Sequence, residues 1–154
     1  MKNLGLPYLI NTKIYSISQL VFKESNGIEF NMGDTFILEN SKGLLQILND
    51  YNKIYIFSIA SVKSAKILGE FETDQAEIYL NNTKEVANGG AIQSIHNYTQ
   101  ASTYLFGSKF LDNNEAFVLG FCYGFDEIIS LSAPAFESLL SDYSDRNVSV
   151  IAAS

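Results

Sequence analysis

The pattern of hydrophobic and polar residues predicts several β-strands in the first part of the chain. Ile14–Phe22 is rich in β-branched and apolar residues, which is typical of a strand. Two shorter strands are predicted at Ile28–Asn31 and Thr35–Glu39, joined through Met32-Gly33-Asp34. The nearly continuous apolar run Lys53–Ala60 predicts a central strand.

Three other segments show the spacing of an amphipathic helix. The first follows a capping Ser41 and carries its apolar residues between Leu44 and Tyr51. The second is the Gly90–Phe106 pattern, and the third covers Ala135–Asp145 after a start signal at Ser132-Ala133-Pro134. We therefore expect about three helices.

The remaining apolar segments predict further strands. Lys66–Phe71 and Ala76–Leu80 would form a hairpin around Thr73-Asp74, and Glu115–Tyr123 and Val148–Ala152 would form single strands. Without repeats or a linker, residues 1–154 read as one domain. The predicted fold is α+β, a mainly antiparallel or mixed sheet with about three helices packed on it.

Charge is distributed unevenly along this pattern. Residues up to Lys66 include seven basic and five acidic side chains, a net of +2. This part of the chain is nearly neutral, so we expect it to serve as a structural scaffold. From Ile67 onward there are three basic and twelve acidic side chains, a net of −9, so the chain carries −7. Such a field repels nucleic acid and anionic membranes and attracts basic proteins.

Composition narrows the candidate chemistry further. Apolar runs are shorter than the roughly 18 residues of a membrane-spanning helix, and the start lacks the pattern of a secretory signal, so we expect a cytoplasmic protein. A single cysteine, Cys122, excludes an internal disulfide and a cysteine-based metal site. With a single histidine, His96, the common histidine metal triads are excluded too. We expect no metal or other cofactor.

The third predicted helix gives the strongest candidate for a binding surface. Phe136, Leu139, Leu140 and Tyr143 share one face, while Glu137, Asp142 and Asp145 lie on the opposite side. Adding the preceding pair of acidic residues gives the predicted partner-binding set: Asp126, Glu127, Glu137, Asp142, Tyr143 and Asp145. The alternative is that these carboxylates simply solvate the outer face of a helix.

Besides a purely structural subunit or homo-oligomer, two further functional interpretations stay open. Gly120-Phe121-Cys122-Tyr123-Gly124 has the form G-x-C-x-G, similar to a hydrolase nucleophile elbow, so a small enzyme using Cys122 and His96 is one alternative. However, the strand signal runs through the motif and His96 precedes the cysteine, which favours a buried structural thiol. The other alternative is a small-ligand module with an aromatic pocket along Phe117–Tyr123.

The function that the sequence favours is an acidic interaction or inhibitor protein. We expect a bacterial immunity-type protein that is not an enzyme and that neutralises a basic, nuclease-like toxin through its acidic C-terminal half. Neither the identity of the partner nor the oligomeric state follows from the sequence.

Overall fold

Most of the chain forms one large antiparallel β-sheet. The computed structural model describes residues 2–10, 12–50, 53–68, 76–100, 103–111, 115–120, 128–142 and 148–153. The strands within these ranges are β1 (Lys13–Lys23), β2 (Glu29–Asn40), β3 (Gly43–Asp50), β4 (Lys53–Ile59), β5 (Glu77–Gln100), β6 (Thr103–Leu111), β7 (Glu115–Gly120), β8 (Ile128–Ser132) and β9 (Val148–Ala153). One α-helix, α1 (Ala133–Asp142), and the 3-10 turns Leu6–Leu9 and Val62–Ser64 accompany them.

Strand β5 joins the two halves of the sheet. The strand order is β4-β3-β2-β1-β5-β6-β7-β8, and β9 also pairs with β5. The first part of β5 pairs with β1, from Glu77 opposite Lys23 to Ala91 opposite Lys13. Its last part lies between β6 and β9, where Ser94 is opposite both Lys109 and Ala153.

The predicted α+β class with about three helices is wrong, because two of the three predicted helices are strands. The segment expected to be helical from Leu44 onward is β3. The Gly90–Phe106 pattern is the end of β5 and the start of β6, which pair with each other. Only the third predicted helix is present in the described residues, as α1.

A register shift explains why β5 resembles a helix in sequence. Ile92 and Ile95 are both fully buried in the same core cluster, although residues three apart on a regular strand point to opposite faces. The pairing of β5 with β6 shifts between Ile92 and Ser94, so β5 has one extra residue there. Because of this extra residue, the side chains of Ile92 and Ile95 point to the same face of the sheet. The resulting spacing of three is the spacing of an α-helix.

Strand β3 resembles a helix for a different reason: both of its faces are covered. Leu45 and Ile47 are buried on one face, and Leu48 is buried on the other. A strand buried on both faces loses the alternation of polar and apolar residues, so its sequence no longer differs from that of a short buried helix.

Several predicted strands are confirmed. Ile14–Phe22 lies in β1 and Val148–Ala152 lies in β9. Lys53–Ala60 contains β4, but its predicted central position is wrong, because β4 is at the end of the strand order. The described part of the strand predicted at Glu115–Tyr123 is β7. The described part of the strand predicted at Lys66–Phe71, residues 66–68, is irregular, and residues 69–75 lie outside the described ranges. Ala76–Leu80 contributes the start of β5.

The two short strands predicted before Asn40 are one strand, β2, interrupted by a bulge. Gln19 of β1 pairs with Phe36, but the next residue, Leu20, pairs with Met32. The three residues between Met32 and Phe36 are therefore extra on the β2 side, which bends the strand there.

The four N-terminal strands bury apolar side chains on both faces. One cluster joins Phe36, Leu38 and Ile47 to Leu9 of the first 3-10 turn and to Ile128 of β8. A second cluster on the opposite face joins strand residues to Ala65 from the segment that follows β4; its buried members are Leu20, Ile37, Ile59 and Ala65. Residues 60–68, which we call the covering segment, therefore close the second face.

A buried glutamine attaches the covering segment to the sheet. The Gln46 side chain is 0% exposed. Its Nε2 donates to the carbonyl oxygen of Lys66 at 2.7 Å, and its Oε1 accepts from the Lys66 backbone N–H at 2.7 Å. Nε2 also lies 3.0 Å from Thr35 Oγ1, so every polar atom of the amide has a partner. One side chain thus replaces the pair of bonds that a neighbouring strand would make.

We expect Gln46→Leu to lower the free energy of unfolding by about 1–3 kcal/mol, because it leaves the Lys66 backbone groups without their partners. Urea denaturation at neutral pH measures this change. Equal stability of Gln46→Leu and the parent chain would show that water satisfies the Lys66 backbone equally well.

Gln46→Glu is the matched variant, because it changes the charge and donor of this side chain with little change in shape. A carboxylate still accepts from the Lys66 N–H but repels the Lys66 carbonyl. We expect destabilisation at neutral pH and recovery in acid, where the protonated carboxyl donates to that carbonyl. The same denaturation at two pH values tests it, and a pH-independent loss would contradict it.

Candidate functional site

The described side chains of Phe136 and Glu137 in helix α1 lie on the sides that the helical spacing predicts. Ser132 caps the helix, since its Oγ accepts from the Ala135 N–H at 3.2 Å. Phe136 is 1% exposed and packs towards the sheet, where α1 contacts β6, β7 and β8. The adjacent Glu137 is exposed. The carboxylate of Glu137 is therefore on the solvent side of the helix.

The other predicted partner-binding residues are only partly placed. Asp142 is the last residue of α1. Asp126, Glu127, Tyr143 and Asp145 lie outside the described residues. The acidic surface thus remains a prediction built around Glu137 and the end of α1.

The candidate residues for the alternative functions are also only partly placed. His96 lies in β5, opposite Gly107 of β6 and Val150 of β9, rather than in the helix expected there. Cys122 lies outside the described residues, and the strand of the predicted aromatic pocket is described up to Gly120. Among the described residues, no cluster of three or more His, Cys, Asp or Glu side chains is arranged to hold a metal. In the same ranges, no helix has the length and apolar character needed to span a membrane.

The hairpin between β1 and β2 exposes apolar side chains that the sequence reading did not single out. Ile28 is 51% exposed and Phe30 is 37% exposed. The turn before them holds Gly27 at φ +87°, a conformation that favours glycine. The sequence does contain a signal for this exposure, because an apolar residue directly follows an Asn-Gly turn. We call Glu24–Phe30, with the paired start of β5, the hairpin tip.

Carboxylates accompany the apolar residues of the hairpin tip. Lys23 pairs with Glu29 on one side and Glu77 on the other, so a row of two acids and one base crosses three strands. A hydrogen bond with Glu29 raises the pKa of Tyr79, and burial and the charges of Glu29 and Glu77 add to the rise. The tip therefore has a net negative face, and the adjacent row of Phe30, Phe22 and Ile78 points to the opposite face.

A cleft of about 210 Å³ lies on the second face of the sheet, at the end of the β3–β4 hairpin. Its lining residues come from three parts of the chain: Asn3, Leu48, Asp50, Tyr55, Phe57 and Lys66. Leu48 and Tyr55 are directly opposite each other across the two strands, so they share this face. The rings of Tyr55 and Phe57 are stacked with centroids 6.0 Å apart at 14°.

The N-terminal segment closes the outer side of this cleft. Asn3 Oδ1 accepts from the Ile56 N–H at 3.0 Å, and the Leu4 N–H donates to the Ile56 carbonyl at 2.8 Å. These bonds cover part of the free edge of β4, which protects it from pairing with another chain.

A second carboxylate lies within electrostatic reach of the cleft. Burial raises the pKa of Asp34, and the negative charge of Asp50 raises it further, while the Asp34 backbone N–H bonded to its own carboxylate works in the opposite direction. Asp34 lies in the β2 bulge, which brings it towards the end of β3. The sequence gives no sign that Asp34 and Asp50 lie near each other, because their proximity depends on the register between β2 and β3.

Comparison with known proteins adds no relative. No family model, no curated protein and no solved structure matches this chain. The exposure, charge and shape of the described residues are therefore the grounds for a functional proposal.

We expect Asp34→Asn to raise the melting temperature at neutral pH. The raised pKa means that the folded state holds this proton more tightly than the unfolded chain, so Asp34 costs stability as the pH rises above its ordinary value of 3.8. Asparagine keeps the acceptor oxygen without the charge. Thermal melts across pH should show a gain at neutral pH that disappears below the ordinary aspartate pKa.

Asp50→Asn is the matched control, because it removes the second charge. In that background the gain from Asp34→Asn should be smaller, since the repulsion between the two carboxylates is gone. A lower melting temperature of Asp34→Asn at neutral pH would contradict the assignment of an unfavourable charge.

Proposed function

We propose that this chain is an acidic interaction protein that binds and neutralises a basic protein partner. The observation that carries the proposal is the hairpin tip, where Ile28 and Phe30 are exposed and the carboxylates of Glu29 and Glu77 lie on the other face from Phe30. Large apolar side chains that remain exposed can mark contact sites, and central apolar anchors supply much of the binding energy in protein interfaces.

The charge of the chain supports the choice of partner. With a net charge of −7, the protein repels polyanions and attracts basic surfaces over distances of about a Debye length, roughly 8–10 Å. Helix α1 contributes to this field through the exposed Glu137 and the acidic residues predicted around it. The two surfaces have complementary roles in the proposal: α1 speeds the encounter, and the hairpin tip holds the complex.

The specific form of the proposal is an immunity-type protein that inhibits a basic, nuclease-like toxin in the cytoplasm. A nuclease must carry a basic groove to bind its substrate, and an acidic protein competes for that groove. The experiment is co-expression with the product of the adjacent reading frame in the native genome. Growth that depends on this chain supports immunity, and a neighbour that is harmless alone argues against it.

We expect the combined variant Glu137→Lys, Asp142→Lys and Asp145→Lys to slow association with the basic partner about tenfold at low salt. Charges at the periphery of an interface act mainly on the rate of encounter, so dissociation should change less. Biolayer interferometry at low and high salt measures both rates, and the difference should shrink as salt rises.

Glu39→Lys with Glu85→Lys is the control for this variant. Both residues are exposed and lie on β2 and β5, so this pair shifts the net charge by +4 away from α1, against +6 for the three substitutions. If the control slows association in proportion to its change in charge, net charge alone is responsible. An unchanged rate in the helix variant would rule out α1 as the steering surface.

We expect Ile28→Ser and Phe30→Ser to weaken the complex about tenfold or more, mainly through faster dissociation. Ile28 is more than half exposed, so its replacement should leave the melting temperature nearly unchanged. Tyr8→Ser is the matched control, since Tyr8 is 38% exposed and lies in the first 3-10 turn. Equal affinities for all three variants would exclude the hairpin tip as an anchor.

A further inference from the structure

The cleft at the end of the β3–β4 hairpin has an apolar floor and an aromatic wall. Leu48 and Phe57 are nearly fully buried, while Tyr55 is half-buried. Since the Tyr55 and Phe57 rings are close to parallel, the two side chains form one continuous wall. A planar group that enters the cleft can stack against such a wall.

The charges near the cleft are two carboxylates and two lysines. Asp50 lines the cleft and its charge reaches Asp34, so two negative groups lie near each other at this end of the sheet. Lys66 lines the cleft as well, and Lys53 is opposite Asp50 across the hairpin. Both lysine side chains are exposed, so their ammonium groups remain in water, whereas Asp50 is half-buried.

A guanidinium group matches these features better than other ligand groups of this size. It carries a positive charge for Asp50, its parallel N–H donors suit a carboxylate, and its flat face stacks on an aromatic ring. A cation near Asp50 also relieves the repulsion between Asp50 and Asp34. The volume of about 210 Å³ suits one side-chain end group rather than a larger molecule.

We propose that this cleft binds the guanidinium group of an arginine side chain on a partner protein, with Asp50 as the counter-charge and Tyr55 as the stacking surface. Lys66 lines the same cleft, so its positive charge opposes the incoming cation. The proposal does not depend on the function proposed above, since a blocked amino acid can replace the partner in its test.

The test is a titration of the uniformly ¹⁵N-labelled chain with N-acetyl-arginine methylamide, followed by NMR. N-acetyl-citrulline methylamide is the matched probe, because it has nearly the same shape without the charge. We expect saturable shifts at Asp50, Tyr55 and Phe57 with the arginine probe alone.

The variants separate the two contacts. Asp50→Asn should weaken binding about five- to tenfold, and Tyr55→Leu about two- to fivefold, whereas Tyr55→Phe should keep it. Lys66→Met should bind at least as tightly as the parent chain. Glu39→Gln, an exposed acid elsewhere on β2, should bind like the parent.

Equal shifts from the citrulline probe would overturn the proposal, as would unchanged affinity in Asp50→Asn. Weaker binding by Lys66→Met would also overturn it, because Lys66 would then help to hold the arginine probe instead of opposing its charge. Thermal melts of each variant show whether the fold is intact. Phe57 and Leu48 are left unchanged because their burial makes them part of the core.

Discussion

The amide of Gln46 is the interaction on which the second face of the sheet depends. Apolar residues on that face of β1–β4 need a cover, and no helix in the described residues lies over them. The covering segment provides it, although it has only one short 3-10 turn. An irregular segment has backbone groups that must be satisfied, and the bonds between Gln46 and Lys66 do this where the chain approaches the sheet.

The same attachment shapes the cleft. Lys66 contributes to its lining because its backbone is fixed at Gln46, and Phe57 is opposite Gln46 across the hairpin. The core of the second face and the neighbouring cleft are therefore linked through one buried side chain. Helix α1 packs on another part of the sheet, strands β6–β8.

The sequence predicted the elements whose pattern reflects a single periodicity. β1, β4 and β9 carry dense β-branched and apolar runs, and α1 carries both a capping serine and a proline near its start. The failures have physical reasons. The bulge in β5 placed Ile92 and Ile95 on one side, and double-sided burial removed the alternation in β3. Both effects arise from tertiary pairing, which local patterns do not contain.

The candidate sites also divide into those that a local sequence pattern indicates and those that depend on tertiary pairing. Exposure of Glu137 followed from the helical spacing around Phe136, and exposure of Ile28 could have been suspected from the turn before it. The cleft had no local signature. It unites Asn3, Asp50 and Lys66, residues that meet only because β3 and β4 pair in one register and the covering segment returns over them. Both the tip and the cleft lie largely in the half of the chain that charge alone suggested was a scaffold.

The length of β5 has a consequence for how the chain reaches this structure. The hairpins β1–β2, β2–β3 and β3–β4 join neighbours in sequence, whereas β1 meets β5 only after a long intervening stretch, with Lys13 opposite Ala91. During synthesis the first four strands leave the ribosome before their central edge has a partner. That edge includes the fully buried Ile17 and Leu20, so β1 is the place where premature association between chains would start. Closing the sheet is then a non-local and slow step, governed by the arrival of a single strand.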